Sequence, residues 1–243
     1  MNNQKIAFII CTNNDILLDE CTLYLSQLYI PEGYETELIT IKDAGSMTSG
    51  YNNGMKSTDA KYKVYMHQDV FILNRNFISD ILDIFNSDCT IGMIGLIGYE
   101  NVSVTGTMWH EQRYGIQKLY GMKQEYPLST YASPRNVQIK YSLSTDGLTD
   151  VALIDGLMMI TSCDIPWNES ELKDWDYYDV FQSISFLEHG KRVVVPNQTY
   201  PWIIHDDGRI LTMWNYNRYR KIFMEKYKQY LGLNAKQIRA SVH

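Results

Sequence analysis

Four cysteines are all that the 243 residues contain, at positions 11, 21, 89 and 163. No two form a C-x-x-C pair, which argues against a zinc knuckle or a thioredoxin-like site. Cys11 and Cys163 lie in apolar, strand-like runs and read as buried, inert thiols in a reducing cytosol. Basic runs are missing as well: 22 Lys and Arg stand against 28 Asp and Glu, a formal net charge of −6. A nucleic-acid groove needs clustered cations to displace counterions, so that partner is excluded. No apolar run approaches the roughly 20 residues that span a bilayer. The opening MNNQKIAFIICTNND is too short in its apolar part for a signal peptide and reads as a buried first strand. These absences predict a cytoplasmic protein without a transmembrane segment, for which peripheral membrane contact is the closest approach to lipid. Also missing are a G-x-S-x-G elbow, a Walker-type phosphate loop and an H-E-x-x-H pair.

What is present suits a folded enzyme. With 45% hydrophobic and 21% charged residues the chain can bury a core, and disorder is excluded. Its length predicts one domain. The 19 Tyr and 5 Trp suit sugar- or base-stacking surfaces, although core filling is their default role.

The first hundred residues alternate strand and helix. Residues 5–12 form an apolar β-branched run ending in the polar turn Thr12-Asn13-Asn14-Asp15. Apolar residues then recur at Leu18, Cys21, Leu25 and Leu28, a helical spacing with Asp15 as N-cap. Strand patterns follow at 36–43, 62–72 and 90–98, with helices at 46–60 and 78–86 between them. Apolar strands in this order predict a parallel sheet covered on both faces, with ligands bound beyond the strands' carboxyl ends. Thr12–Asp15, Asp43 and His67–Asp69 all fall at such ends and should converge.

Residues 99–150 are rich in Gly, Ser, Thr, Tyr and Asn, with Trp109, His110, Arg113 and Tyr114 embedded, and predict a partly irregular insertion over the cleft. A strand pattern resumes at 151–163, broken by Asp155-Gly156. Helix 179–189, strand 191–197, a short strand at 202–205 and a C-terminal helix at 211–231 complete the chain.

Four constellations could carry chemistry. Asp69, at a strand end, could bind a divalent cation that bridges phosphates, or cap a turn. His205-Asp206-Asp207-Gly208 offers imidazole and carboxylate donors that suit Mn²⁺, or simply a turn. Asp174, Asp176 and Asp179 surround Trp175, Tyr177 and Tyr178 at a helix start, where acids favour the helix dipole and could also act as a general base. Asp155-Gly156 marks a bulge or close approach, and an acceptor site is the functional alternative.

The ordered motifs KIAFIICTNN, IKDAGSMTSGYNNGM, AKYKVYMHQDVFI, DGLMMI, WDYYDVFQSISFLEHGKRVVVPNQ and PWIIHDDG resemble the family 2-like glycosyltransferases of the GT-A fold. The likeness is to a bacterial subgroup with an H-Q-D-V variant of the D-x-D motif. It implies an α/β, GT-A-type single domain over 1–243, with a mostly parallel central sheet flanked by helices. Within it, 5–98 would be the nucleotide-binding half, 99–150 an insertion or lid, and 151–231 the acceptor and catalytic half with the C-terminal helix. The implied activity is metal-assisted, inverting transfer of a sugar from a nucleoside-diphosphate sugar, a UDP-sugar first, to a glycan or glycoprotein hydroxyl. Thr12, Asn13, Asp43, Asn52 and Gln68 would border the nucleotide. Asp69 and His205 would hold Mn²⁺ or Mg²⁺. Asp179 would be the base, with Asp176 its rival, and Trp109, Asp155 and Gly156 would face the acceptor. Two positions depart from the family pattern: His67 stands for Asp and Tyr178 for Glu. The alternative function is a non-catalytic GT-A-like module that binds nucleotide or glycan. A nucleotidyltransferase is disfavoured, because Thr12-Asn13-Asn14 is not a Gly- and basic-rich phosphate loop.

Overall fold

The computed structural model describes residues 1–123, 133–140, 147–206 and 213–242, with backbone alone at 116–123 and 133–140. Strand β1 (Asn2–Thr12) buries residues on both sides. Ile6, Phe8 and Ile10 enter one core and Ala7, Ile9 and Cys11 the other, the two-residue alternation of a strand covered on both faces. Helix α1 (Asp15–Leu25) follows, and its cap is Asn14 rather than Asp15: the Asn14 side chain accepts from the backbone N–H of Ile16 and Leu17. Strand β2 (Glu35–Lys42) returns parallel to β1. Helix α2 (Met47–Lys56) starts from Ser46, which forms a reciprocal capping box with Ser49. A Cβ on Gly54 would collide with the Ile9 side chain, so glycine lets this helix lie directly on β1.

Strand β3 (Ala60–His67) pairs parallel with β1. The single strand expected over 62–72 is in fact two. The chain turns at Gln68-Asp69, and β4 (Val70–Ile72) joins a different sheet. Helix α3 (Phe77–Ser87) follows, and the strand expected over 90–98 likewise divides into β5 (Ile91–Gly95) and β6 (Ile97–Tyr99).

The insertion is more regular than its composition suggested. It carries a one-turn helix at Met108–His110, then β7 (Arg113–Lys123) and β8 (Ser133–Lys140), which form an antiparallel pair, and β9 (Leu148–Asp150). Strands β10 (Leu153–Ile154) and β11 (Met158–Thr161) flank the break at Asp155-Gly156. Helix α4 (Tyr178–Glu188), β12 (Arg192–Pro196), β13 (Ile203–Asp206) and α5 (Met213–Lys226) lie close to their expected positions. The C-terminal helix ends at Lys226 instead of running to 231. A one-turn helix at Lys228–Tyr230 follows, then α6 (Ala235–Ser241), capped by Asn234. Asp207 and Gly208 of the H-D-D-G motif, and residues 211–212, lie outside the described residues.

The central sheet has seven strands in the order β2-β1-β3-β11-β5-β12-β9. Pairing is parallel across β2-β1-β3 and between β5 and β12, with β11 and β9 antiparallel to their neighbours. The second sheet runs β10-β6-β7-β13-β4, with β8 on β7. Helices α1 and α3 cover one face of the central sheet, and α2, α4, α5 and α6 contribute to the core on the other.

One ion pair anchors this sheet. Lys63 is fully buried on β3, and its ammonium meets Asp164 at 2.7 Å and the Ala60 carbonyl at 2.5 Å. Removing Asp164 leaves that charge without its counter-ion. Because the Asp164 side chain is 34% exposed, the expected loss for Asp164→Ala is about 3 kcal/mol, the low end for a broken buried pair. Lys63→Met should lose less. Urea denaturation checks both, and a smaller loss for Asp164→Ala than for Lys63→Met would contradict the assignment.

Candidate active site

The carboxyl ends of β1, β2 and β3 meet as the topology requires. Thr12, Asn13, Asp43, Gln68 and Asp69 line one cleft of about 360 Å³, together with His67 and Trp175. Gln68 stitches its floor: its Oε1 accepts from Thr12 Oγ1 at 2.8 Å, Asn13 N at 3.1 Å and Asn14 N at 3.0 Å, while Nε2 donates to Asn13 Oδ1 at 2.7 Å. The loop after β1 is therefore fixed from the loop after β3. Asp43 holds φ of 55°, left-handed backbone that a non-glycine residue adopts at a cost. Burial pushes the Cys11 thiol on the inner wall up to about 12, so it is a neutral wall group and not a nucleophile.

A second strand end reaches this cleft from far away in sequence. Strand β13 pairs antiparallel with β4, setting His205 opposite Val70, and Asp206 N donates to the Asp69 carbonyl at 2.8 Å. His205 Nε2 consequently lies 3.6 Å from Asp69 Oδ1, and His67 Nδ1 lies 3.8 Å from the same oxygen. The three side chains can each offer one ligand atom, all within 4.8 Å of one another, and Asp69 is buried. Two imidazole nitrogens and one carboxylate oxygen suit a divalent transition-metal cation, Mn²⁺ among them, better than the oxygen-seeking Mg²⁺. His67 was not among the ligands expected from sequence. The signal for it was the H-x-D sequence at a strand end, two ligand-type side chains separated by one residue where the chain turns.

The acidic wall lies beside this cluster. His67 N donates to the Leu157 carbonyl at 3.2 Å, which sets the Asp155-Gly156 break against the end of β3. Asp155 Oδ1 accepts from Leu157 N at 3.2 Å and Oδ2 from the Tyr99 hydroxyl at 3.4 Å. Burial raises its carboxyl above the usual range, against a lowering pull from nearby His205. Asp179, at the start of α4, accepts from Gly156 N at 2.9 Å and from Val180 N at 2.8 Å. Burial, reinforced by the neighbouring Asp155 charge, pushes it up to about 7 despite those hydrogen bonds. Tyr177, which precedes the helix, has φ of 65° and donates its hydroxyl to the Gly106 carbonyl at 2.7 Å. Asp43 and Tyr177 are the two described non-glycine residues with positive φ; Asp43 lines the cleft, and Tyr177 lies two residues past Trp175, which lines it too.

Of the expected residues, His205, Asp155, Gly156 and Asp179 stand behind the cleft lining rather than in it, and Asn52 and Trp109 are engaged in other contacts. Asn52 is buried and does not line the cleft. Its amide accepts from Trp167 N at 2.9 Å and donates to Trp167 O at 2.9 Å and to Glu169, which leaves it a structural clamp. Trp109 stacks on Tyr216 with ring centroids 4.7 Å apart and is not among the residues that line the cleft. Conversely, Trp175, 45% exposed, lines the cleft, although the sequence offered it only as an aromatic within an acidic cluster. Asp174 is engaged by Tyr219 Oη at 2.6 Å.

The sequence profile of a family described as glycosyltransferase-like matches residues 7–227. Among solved structures, the chain is similar to S. aureus TarS 1–349 in complex with UDP. Identity there is 10%, 98% of this chain and 70% of that chain are covered, and the TM-score is 0.54. The same protein in complex with UDP-GlcNAc gives 9%, 98%, 71% and 0.56. The mannosyltransferase PcManGT from Pyrobaculum calidifontis, in complex with GDP-Man and Mn²⁺, gives 9%, 93%, 65% and 0.54. The chain thus spans about two thirds of the length of these neighbours. At such identities the likeness is one of fold, the GT-A type that the motifs implied. Comparison with curated protein sequences finds no match.

The raised carboxyl of Asp179 has a consequence for stability. Its folded value of about 7 lies above the unfolded value near 3.8, so the folded chain holds that proton more tightly. The resulting stabilisation is complete below the unfolded value and is lost as pH rises through the folded one. The melting temperature should therefore fall between pH 5 and 7. In Asp179→Asn that fall should be shallower, the remainder coming from Asp155. Identical slopes for the two proteins would refute the shift.

Proposed function

The chain belongs to the glycosyltransferase-like family whose profile it matches, and from that premise we propose that it is an inverting, metal-assisted glycosyltransferase. The donor is a nucleoside-diphosphate sugar, a UDP-sugar first, and the acceptor a hydroxyl of a glycan or glycoprotein. The observation that carries this reading is the meeting of His67, Asp69 and His205 beside a cleft that His67 and Asp69 line together with Thr12, Asn13 and Asp43. A pyrophosphate needs a cation at one end of its site and polar, backbone-rich loops at the other, and this cleft offers both.

In this reading Thr12, Asn13 and Asp43 contact the nucleotide, and Gln68 holds the loop that presents them. Asp69 and His205, with His67, hold Mn²⁺ or Mg²⁺; the nitrogen-rich donor set favours Mn²⁺. Such a cation, when bound, offsets the negative charge that develops on the departing nucleoside diphosphate. Asp179 takes the proton of the acceptor hydroxyl as that oxygen attacks the anomeric carbon from the face opposite the leaving group. One displacement inverts the configuration. A carboxyl raised to about 7 suits that task, because a base works best with a pKa near the working pH. Asp155 and Gly156 border the acceptor from the same wall. Trp175, adjacent to the nucleotide walls, is better placed than Trp109 to stack on the donor or acceptor.

The family resemblance and the four free cysteines support a cytoplasmic setting in bacterial cell-surface polysaccharide or glycoprotein synthesis. No described helix is long and apolar enough to cross a membrane.

A panel of UDP-, GDP- and dTDP-sugars with and without Mn²⁺ tests this function. The expected outcome is slow, Mn²⁺-dependent release of a nucleoside diphosphate from one donor. Asp69→Asn and His205→Ala should each reduce it by at least about 100-fold. Tight binding of a sugar nucleotide with no release, even with glycan acceptors added, would instead favour a non-catalytic binding module.

The base has its own test. The rate should rise with pH to a plateau above about 7. Asp179→Asn should lower transfer by roughly 10²–10⁴-fold while sparing nucleotide binding. Loss of transfer in Asp176→Asn alone would move the role to Asp176.

A further inference from the structure

Two departures from the family pattern, His67 for Asp and Tyr178 for Glu, lie 111 positions apart in sequence and touch in space. His67 Nε2 and Tyr178 Oη are 2.5 Å apart. On the far side of the same ring, Nδ1 faces Asp69 Oδ1. An imidazole nitrogen binds a cation only through its lone pair, so Nδ1 can serve as a ligand only if the ring proton sits on Nε2. There it donates to the tyrosine oxygen.

We infer that Tyr178 is the positioning residue for His67: it holds the tautomer and orientation that turn Nδ1 toward Asp69 and His205, and the resulting N,N,O site selects Mn²⁺ over Mg²⁺. This rests on the transferase reading only for the cation's use, not for its binding.

The surroundings of Tyr178 are built to keep it still. Its ring packs against Trp167 at 6.2 Å and edge-on to Tyr51 at 5.9 Å. Trp167 is in turn held at both its backbone N–H and carbonyl by Asn52. A Cβ at Gly156 would collide with the Tyr178 hydroxyl, so the absence of a side chain there leaves room for the phenol to reach His67. Asn52 and Gly156, two residues that the motifs pointed to for other reasons, thereby both serve the same hydrogen bond.

The selectivity follows from donor chemistry. Mg²⁺ demands small, hard oxygen ligands in octahedral array and dehydrates reluctantly, whereas Mn²⁺ accepts imidazole readily. A site with an acid at position 67 would offer two carboxylates and discriminate weakly. This one offers a single carboxylate from Asp69.

Mn²⁺ and Mg²⁺ binding by the full chain, followed by electron paramagnetic resonance and calorimetry with and without UDP, tests the inference. Mn²⁺ should bind at least about 10-fold more tightly than Mg²⁺, and its pulsed spectrum should show coupling to two imidazole nitrogens. Tyr178→Phe keeps the ring packing, so its melting temperature should stay near that of the wild type. Its Mn²⁺ affinity should fall by about 10–100-fold, the usual penalty for losing the partner of a metal-bound imidazole. In a His67→Ala background the same change should cost nothing further. His67→Asp should narrow the preference between the two cations. Equal affinities for Mn²⁺ and Mg²⁺, one coupled nitrogen, unaltered Mn²⁺ affinity in Tyr178→Phe, or no Mn²⁺ binding in any condition would each overturn the inference. The expected Mn²⁺ affinities with no sugar-nucleotide turnover would support the inference while sinking the transferase reading.

Discussion

Everything at this site depends on a short antiparallel pairing between two strands that are distant in the chain. Residues 70–72 and 203–205 share a ladder, extended by the hydrogen bond from Asp206 N to the Asp69 carbonyl. That ladder exists because β3 stops at His67 and the chain crosses to the second sheet within two residues. Had the apolar run continued as one strand, Asp69 would have stayed in the central sheet, and β13, paired with β7 alone, would not have brought His205 beside it. The break therefore does two things at once. It places the H-Q-D side chains at a carboxyl edge, and it opens the seam that brings an imidazole from the other end of the chain.

Placing so much polarity inside the fold has a physical price that the core must offset. Asp155 and Asp179 are held above their usual proton affinities by burial, and the Asp155 charge raises Asp179 further. Asp43 and Tyr177 sit in left-handed backbone that opposes their side chains, at roughly 1–3 kcal/mol each. Such features persist only where neighbours leave no alternative. For Tyr177 the neighbours are its own bond to Gly106 and the packing of α4 and α5 through Phe181 and Phe223. The rest of the sheet can carry that load because β1 is buried on both faces.

The sequence made the nucleotide half legible because its signals are local. Alternation along residues 5–12 and the polar turns at strand ends are written in adjacent positions, and the structure keeps them, although β1 starts three residues earlier, at Asn2, and the helix expected over 46–60 ends at Lys56. Asp69 and His205 could be nominated separately by their strand-end positions, and their shared ladder explains why both nominations meet. What stayed hidden is what depends on partners. The split of 62–72 depends on where β4 finds an edge, which no periodicity encodes. The strands of the insertion were hidden by Gly-, Tyr- and Thr-rich composition that imitates a loop, since pairing between β7 and β8 rather than local hydropathy makes them strands. Asn52 looked like a nucleotide contact in Y-N-N-G, yet its amide matches the backbone of Trp167, a residue 115 positions away. Tyr178 read as a departure from a motif, and only its contact with His67 gives that departure a purpose.

Anomalous diffraction at the manganese edge, from a crystal grown with UDP and Mn²⁺, probes the convergence most directly. A single strong peak should lie within bonding distance of the Asp69 carboxylate and of imidazole nitrogens from both His67 and His205, with the nucleotide extending along Thr12, Asn13 and Asp43. A manganese ion bound elsewhere, or a nucleotide seated outside that cleft, would contradict it.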